Sequence, residues 1–244
     1  MITTRATRRV TIPFAGLTLY GDLSWPIAPG RVHALAVIAH PSSGSRLNPH
    51  NQALAAALNR AGLATFLTDL LDRDEDQWEA SAAKTRYDLE LLTSRLRTVV
   101  DRLARLEVEV AALPVAVFGT GTAGAAAIRA AAEEPSTATA APPPPRPGRI
   151  DAVVCRNGRP DLATDLVADP PVPALFLVAE HDPEGYERHR DAGLGLGGRA
   201  ELMVLPGTSD LVDDPASVEA AALTAAAWLV ARLDPGGGTG DPGH

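Results

Sequence analysis

The sequence is poor in cysteine, in aromatic residues and in lysine, and each shortage excludes a class of protein. Its 244 residues include one cysteine, Cys155, which excludes a disulfide framework and a cysteine-built zinc site. Aromatic residues make up only 4% of the chain, so Ala, Leu and Val must fill the core. Lys84 is the only lysine and lies in no glycine-rich loop, so P-loop and Schiff-base mechanisms would depend on it alone.

The chain also lacks a basic patch and a long apolar run. Its net charge of −8 gives no electrostatic footprint for nucleic acid or an anionic membrane, so neither is expected as a partner. No apolar run approaches the roughly 20 residues that span a bilayer. The arginines near the start are not followed by the apolar segment of a secretory signal. We therefore expect a cytoplasmic protein with a small-molecule ligand or substrate and with neither a metal nor an organic cofactor. Homo-oligomer formation stays open.

Short apolar runs alternate along the chain with longer helical patterns. The runs at 9–14 and 17–24 flank a turn at Ala15–Gly16 and predict an antiparallel hairpin. This alternation predicts an α/β fold with a mostly parallel sheet and helices on both faces. The predicted strands are 9–14, 17–24, 34–39, 64–70, 114–118, 150–155, 174–179 and 200–205, and the predicted helices are 51–61, 88–106, 122–134 and 216–233.

Two stretches fall outside this alternation. The proline-rich insert at 135–149 is expected to be extended and exposed. The glycine-rich tail at 235–244 is expected to be flexible. Neither stretch divides the chain into two cores, so we predict a single domain over residues 1–234.

The most informative stretch is 114–131, where a predicted strand runs through small residues into a helix. Gly119, Gly121 and Gly124 form the G-x-G-x-x-G pattern of a dinucleotide site, but no acidic residue ends the next strand to hold a ribose. The same strand–turn–helix is also the context of a nucleophile elbow, whose nucleophile position falls on Gly121. The third interpretation is a plain tight turn that lets the helix and strand pack closely.

Several polar motifs follow the predicted strands in a fixed order between residues 32 and 233. They are His40 with 42–46 (SSGSR), 69–71 (DLL), the turn at Gly119, 156–162 (RNGRPDL), 180–182 (EHD) and 206–211 (PGTSDL). As an ordered set they resemble the dienelactone-hydrolase-like branch of the α/β-hydrolases. The resemblance implies an α/β-hydrolase fold without a large cap.

The resemblance also implies a Ser–Asp–His triad, from which this chain departs. The nucleophile position falls on Gly121, the acid position on Asp182 and the histidine position on Asp210. Two of the three groups are absent, so an ordinary serine esterase is not expected. The family's oxyanion hole would use the backbone N–H groups of Thr122 and Ser42, with Ser43 beside them in a binding loop.

Four other residues are candidates to replace the missing groups. A one-residue register shift makes Thr122 an alternative nucleophile, and Cys155 ends a strand at the edge where such folds carry their sites. Among the imidazoles, His40 and His181 are expected near the pocket, whereas the sequence favours a surface or loop position for His189.

Charged residues offer two further hypotheses. Asp182 and Asp210 would be neighbours, and two carboxylates within about 6 Å would raise one pKa and form an acid–base pair. Arg46, Arg156 and Arg159 are expected in loops at the carboxyl edge of the sheet, where they could clamp a carboxylate or phosphate.

The sequence thus leaves two main classes of function. One is an enzyme that performs acid–base chemistry on a small molecule without a Ser–His triad, such as cyclisation, isomerisation, elimination or non-covalent hydrolysis. The other is a non-catalytic relative of the hydrolases that binds a ligand or a partner protein. Dinucleotide binding through Gly119, Gly121 and Gly124 comes third.

Overall fold

Eight strands form one sheet that carries the whole architecture. The structure is a computed structural model that describes residues 7–27, 30–77, 84–132, 148–164, 172–197, 200–209 and 211–233. The strand order is β1-β2-β4-β3-β5-β6-β7-β8. β2 pairs antiparallel with β1 and with β4, and the other neighbouring strands are parallel. The predicted α/β-hydrolase topology is confirmed. The strands are β1 (Thr7–Phe14), β2 (Leu17–Ser24), β3 (Leu35–His40), β4 (Ala64–Asp69), β5 (Val115–Gly121), β6 (Ala152–Gly158), β7 (Ala174–Ala179) and β8 (Ala200–Leu205).

Helices lie on both faces of the sheet, as predicted. They are α1 (Pro49–Arg60), α2 (Arg73–Gln77), α3 (Leu89–Leu106), α4 (Val108–Ala111), α5 (Thr122–Ala132), α6 (Pro183–Gly195) and α7 (Pro215–Leu233). α6 is not among the predicted helices because its buried residues are Gly185, His189 and Ala192, which give no apolar periodicity. The surface or loop position predicted for His189 is wrong, since this residue is buried within α6.

The core consists of two aliphatic layers, one on each face of the sheet. α3 and α5 contribute Leu96, Val99 and Ile128 to one layer. α1 and α7 contribute Leu54 and Leu229 to the other. The central strands are buried on both faces, which explains why they stand out in the sequence as continuous apolar runs.

α7 is long and apolar enough, by length and composition, to cross a membrane. Its Val218, Ala222, Ala225 and Leu229 side chains are nevertheless buried in the layer shared with α1. This is the packing of a core helix.

Parts of the predicted organisation cannot be compared with the described residues. Only residues 148–149 of the insert at 135–149 are described, and the tail at 235–244 lies outside the described residues. Asp210 also lies outside them.

Candidate active site

Gly121 forms the apex of a sharp strand-to-helix turn. β5 ends at this residue and α5 begins at Thr122. The φ of Gly121 is +59°, and a Cβ built there would meet only the Cγ of Pro41, at 3.6 Å. The turn therefore has the sharp strand-to-helix form of a nucleophile elbow, with open space at its apex.

The other two glycines of the turn are explained by packing. A Cβ on Gly119 would lie 2.6 Å from the carbonyl oxygen of Ala123, and one on Gly124 would collide with the sulfur of Cys155. Both positions exclude a side chain because strand and helix approach so closely. This explanation favours the tight-turn interpretation over a dinucleotide site.

The hydroxyl of Thr122 is already engaged. Thr122 is buried, and its Oγ1 donates a hydrogen bond of 2.5 Å to the carbonyl oxygen of Arg86. The contact fixes the segment before α3 against the start of α5. A hydroxyl held in this way is poorly placed to attack a substrate.

His40 and two serines form a small hydrogen-bonded cluster at the carboxyl end of β3. The Nδ1 atom of His40 lies 2.8 Å from Oγ of Ser42 and 2.8 Å from Oγ of Ser45, and these two oxygens are 2.6 Å apart. Ser45 is buried, whereas Ser42 is partly exposed. Ser45 is not among the predicted site residues, although it follows His40 and Ser42 in the same short motif.

Two carboxylates hold the loop that contains these serines. Asp69, at the end of β4, accepts hydrogen bonds from the backbone N–H groups of Gly44 (3.0 Å) and Arg46 (2.9 Å). Asp76 accepts from the N–H (2.9 Å) and the hydroxyl (3.0 Å) of Ser43. β3 and β4 pair in parallel with His40 opposite Asp69, so the register itself brings the loop and its anchor together.

The environment of His40 keeps its imidazole neutral. Burial, helped by the positive charges of Arg156 and Arg86 and opposed by Asp76, lowers its pKa to about 4. A neutral imidazole can accept a proton near pH 7, which a charged one cannot.

Arg156 lies within β6, so its predicted loop position is wrong. Its side chain is fully buried over the ring of Phe118, 5.7 Å from the centroid. Its Nη2 atom donates to Oδ1 of Asn51 (3.2 Å) and to Oγ1 of Thr120 (3.3 Å). The guanidinium thus places a positive charge beneath the elbow.

Cys155, the neighbour of Arg156 on β6, carries a buried thiol. Burial raises the pKa of this thiol to about 12. The sulfur lies 4.0 Å from Nε2 of His189, whose Nδ1 is 2.7 Å from the carbonyl oxygen of Gly185. A thiol with so high a pKa stays protonated near pH 7 and is therefore not a nucleophile.

The remaining predicted residues have local structural contacts. Asp182 caps the N-terminus of α6 by accepting from the N–H of Gly185 at 2.9 Å. Arg159 forms a two-pronged salt bridge with Asp161, with a shortest distance of 2.7 Å. His181 is exposed beside Glu180. Because Asp210 lies outside the described residues, its distance from Asp182 stays a prediction.

A cavity of about 520 Å³ lies beside the loop that Asp69 anchors. Arg46, at its edge, pairs with Asp22 (3.2 Å) and with Asp69 (3.6 Å) and faces the ring of Tyr20. Within the described ranges no group of three or more His, Cys, Asp or Glu side chains is arranged to hold a metal ion.

Known proteins similar to this chain include both curated sequences and solved structures. No family model matches the chain. Two curated proteins of Mycobacterium tuberculosis named "Putative phosphoribosyl transferase" are 35% identical over 206 residues. The match covers 84% of this chain but only 42% of each relative, so the chain spans less than half of their length.

The solved structures agree on the fold. A dienelactone hydrolase from Anabaena variabilis is 33% identical, with a TM-score of 0.78, over 94% of this chain and 99% of that chain. Est1E from Butyrivibrio proteoclasticus is 16% identical, with a TM-score of 0.67, over 91% and 99% of the two chains. The likeness to Est1E shows the fold alone. The likeness to the dienelactone hydrolase also includes the amino-acid sequence, over almost the whole length of both chains. The chain therefore belongs to the dienelactone-hydrolase-like branch of the α/β-hydrolases.

Proposed function

We propose that this protein binds and acts on a small molecule above the elbow, without a nucleophile at position 121. The observation that carries the proposal is Gly121 itself. Its left-handed backbone keeps the elbow shape, and a side chain there would meet only Pro41. Glycine supplies no nucleophile, but it leaves room for a ligand at the apex.

The groups around the apex support acid–base chemistry. The neutral imidazole of His40 offers a proton acceptor, and the N-terminus of α5 favours negative charge on a bound carbonyl oxygen. Such a site suits cyclisation, isomerisation, elimination or hydrolysis without a covalent intermediate at the elbow. Asp182 and Asp210 would add a carboxylate pair. A soluble fold with a buried thiol suits the cytoplasm, where we place this activity.

A negatively charged ligand has a specific observation in its favour. Arg156 and Arg86 each act on the His40 imidazole more strongly than Asp76 does, so the charges around it favour an anion nearby. The curated relatives are named for phosphoribosyl transfer, and phosphoribosyl compounds carry phosphate. An anionic substrate, a carboxylate or a phosphate ester, is therefore the substrate class we propose.

The alternative is a non-catalytic relative that binds a ligand in the same place. It shares the empty apex and differs only in lacking turnover. Monitoring a panel of small carboxylate esters for chemical conversion by NMR separates the two functions: a binder leaves every compound unchanged at saturation.

Binding can be tested with aryl methyl ketones that carry a carboxylate on the ring, which resemble anionic esters but cannot be hydrolysed. Gly121→Leu fills the apex and should weaken ketone binding by at least about tenfold. Gly16→Leu is the matched control, because Gly16 also has a positive φ (+90°) and open surroundings but lies in the β1–β2 turn. Equal affinity in the wild type and Gly121→Leu would place the ligand elsewhere and contradict the proposal.

A further inference from the structure

The loop beside the empty apex contains its own hydroxyl–imidazole pair. Ser42 Oγ lies 2.8 Å from Nδ1 of His40, within hydrogen-bond reach. Pro41 joins these two residues and is also the residue that a side chain on Gly121 would touch, at 3.6 Å. The pair is therefore next to the apex of the elbow.

From this geometry we infer that Ser42 is a relocated nucleophile, with His40 as its general base, for carboxylic esters that carry an anionic group and bind at the elbow. The inference deepens the proposed function and rests on it, because the ester must first reach the space above Gly121. It differs from the family's arrangement, in which the nucleophile stands at the apex.

Neither Ser43 nor Ser45 combines a partly exposed hydroxyl with a contact to His40, as Ser42 does. Ser45 also contacts His40 Nδ1 but is buried, so it can relay or orient a proton without reaching a substrate. Ser43 donates its hydroxyl to Asp76. Ser42 is partly exposed, and its hydroxyl contacts Ser45 Oγ at 2.6 Å as well as the imidazole.

The proposed reaction is a two-step acyl transfer to water. Ser42 Oγ bonds to the ester carbonyl carbon while its proton passes to His40 Nδ1, and the carbonyl electron pair moves to oxygen. The ester C–O bond then breaks, and the alcohol leaves with the proton from His40. Water repeats the sequence on the acyl-serine, which releases the carboxylic acid and restores the Ser42 hydroxyl. The N-terminus of α5 favours the transient oxyanion.

A fluorophosphonate probe on the full chain tests the nucleophile directly. Intact-mass analysis and peptide mapping should find one adduct, on Ser42, and Ser42→Ala should slow labelling by at least about a hundredfold. Ser94→Ala is the control for general serine reactivity, since Ser94 is exposed on α3 away from this loop. Its labelling rate should equal that of the wild type. An adduct on any other residue, or none, overturns the inference.

A cysteine substitution keeps the test valid if Ser42→Ala disturbs the loop. In Ser42→Cys the introduced sulfur should react with iodoacetamide, whereas the one natural cysteine, Cys155, is buried with its pKa raised to about 12. In the chain with its natural Ser42, His40→Gln should slow fluorophosphonate labelling by at least about tenfold, because glutamine can hydrogen-bond but cannot accept the proton. Equal rates with and without His40 would overturn its role as base.

The pH profile separates a base from a merely structural histidine. The charged groups that act on His40 are Arg156, Arg86 and Asp76, and its pKa is about 4. Labelling of the wild type should be flat from pH 8 down to about 5 and fall below that. An inflection near pH 6.5 would contradict the assignment. If the ketone binds but the fluorophosphonate forms no adduct on Ser42, this inference alone is rejected. If the ketone does not bind either, the proposed function is rejected as well.

Discussion

The backbone at residue 121 limits what can stand at the apex of the elbow. Its φ of +59° is a conformation that L-residues other than glycine adopt at a cost of about 1–2 kcal/mol. In family members with a serine at this position, the strained residue carries the hydroxyl that acts as the nucleophile. Glycine avoids this strain, and the close packing at Gly119 and Gly124 holds the strand and helix in the shape of the elbow.

Restoring the triad that the family resemblance implies should require two substitutions. Gly121→Ser has room for its Cβ but should lower the free energy of unfolding by about 1–2 kcal/mol through backbone strain. Alone it should not increase turnover at the apex, because position 210 offers no imidazole to take the proton.

The double variant Gly121→Ser/Asp210→His should increase p-nitrophenyl acetate hydrolysis by at least about a hundredfold over either single variant. Steady-state rates in a Ser42→Ala background isolate the apex from the loop serine. A single Gly121→Ser variant as active as the double variant would show that some other base serves the elbow.

Aspartate side chains cap the N-termini of two helices, α6 and α3. Asp182 is the N-cap of α6, and Asp88 is the N-cap of α3 through the N–H of Leu91 at 3.0 Å. Replacing either with alanine should cost about 1 kcal/mol of unfolding free energy. Urea denaturation of the two variants measures this. A loss of substrate conversion confined to Asp182→Ala would assign Asp182 a role beyond capping.

The β1–β2 hairpin carries a strained turn residue. Ala15 (φ 43°) and Gly16 (φ 90°) form a two-residue turn between Phe14 and Leu17, and both φ values are positive, as in a type I′ turn. Alanine tolerates this conformation poorly. Ala15→Asn should therefore stabilise the protein by about 0.5–1 kcal/mol, measured by thermal unfolding. An unchanged Tm would mean that the turn relaxes without strain in solution.

At the scale of the whole molecule, sequence patterns and tertiary contacts contribute different information. The apolar runs at 34–39 and 174–179 predict buried parallel strands because such strands have no polar face to interrupt the run. β6 instead continues to Gly158, through Arg156 and Asn157, because Gly121 pairs with Gly158 across a register shift. No local pattern marks a buried arginine as strand.

The position of the loop after β3 was predictable from the sequence, but the contacts within that loop were not. The resemblance predicts that the loop after β3 lies beside the elbow, and in the structure Pro41 of this loop lies next to Gly121. That Ser42 and Ser45 both face His40 depends on the short 3-10 turn at Ser45–Leu47 and on Asp69, 23 residues from Arg46 in sequence. Long-range anchors of this kind leave no periodic signal in one sequence.

The neutral state of His40 couples the site to the acid stability of the whole protein. Its pKa is about 4 when folded, against an ordinary value of 6.5, since burial and two arginines disfavour the charged ring. Below pH 6.5 the unfolded chain takes up a proton at this residue and the folded chain does not. The free energy of unfolding therefore falls as the pH drops from about 6.5 to about 4.

His40→Gln should remove this part of the acid sensitivity. Between pH 7 and pH 4 the wild type should lose on the order of 2–3 kcal/mol more unfolding free energy than the variant. Guanidinium denaturation at half-unit pH steps measures it, with His181→Gln as the control because that imidazole is exposed. Parallel stability curves for wild type and His40→Gln would mean that His40 is not held neutral in the fold. The flat labelling profile expected of Ser42 would then lose its physical basis, since a histidine with an ordinary pKa would titrate near pH 6.5.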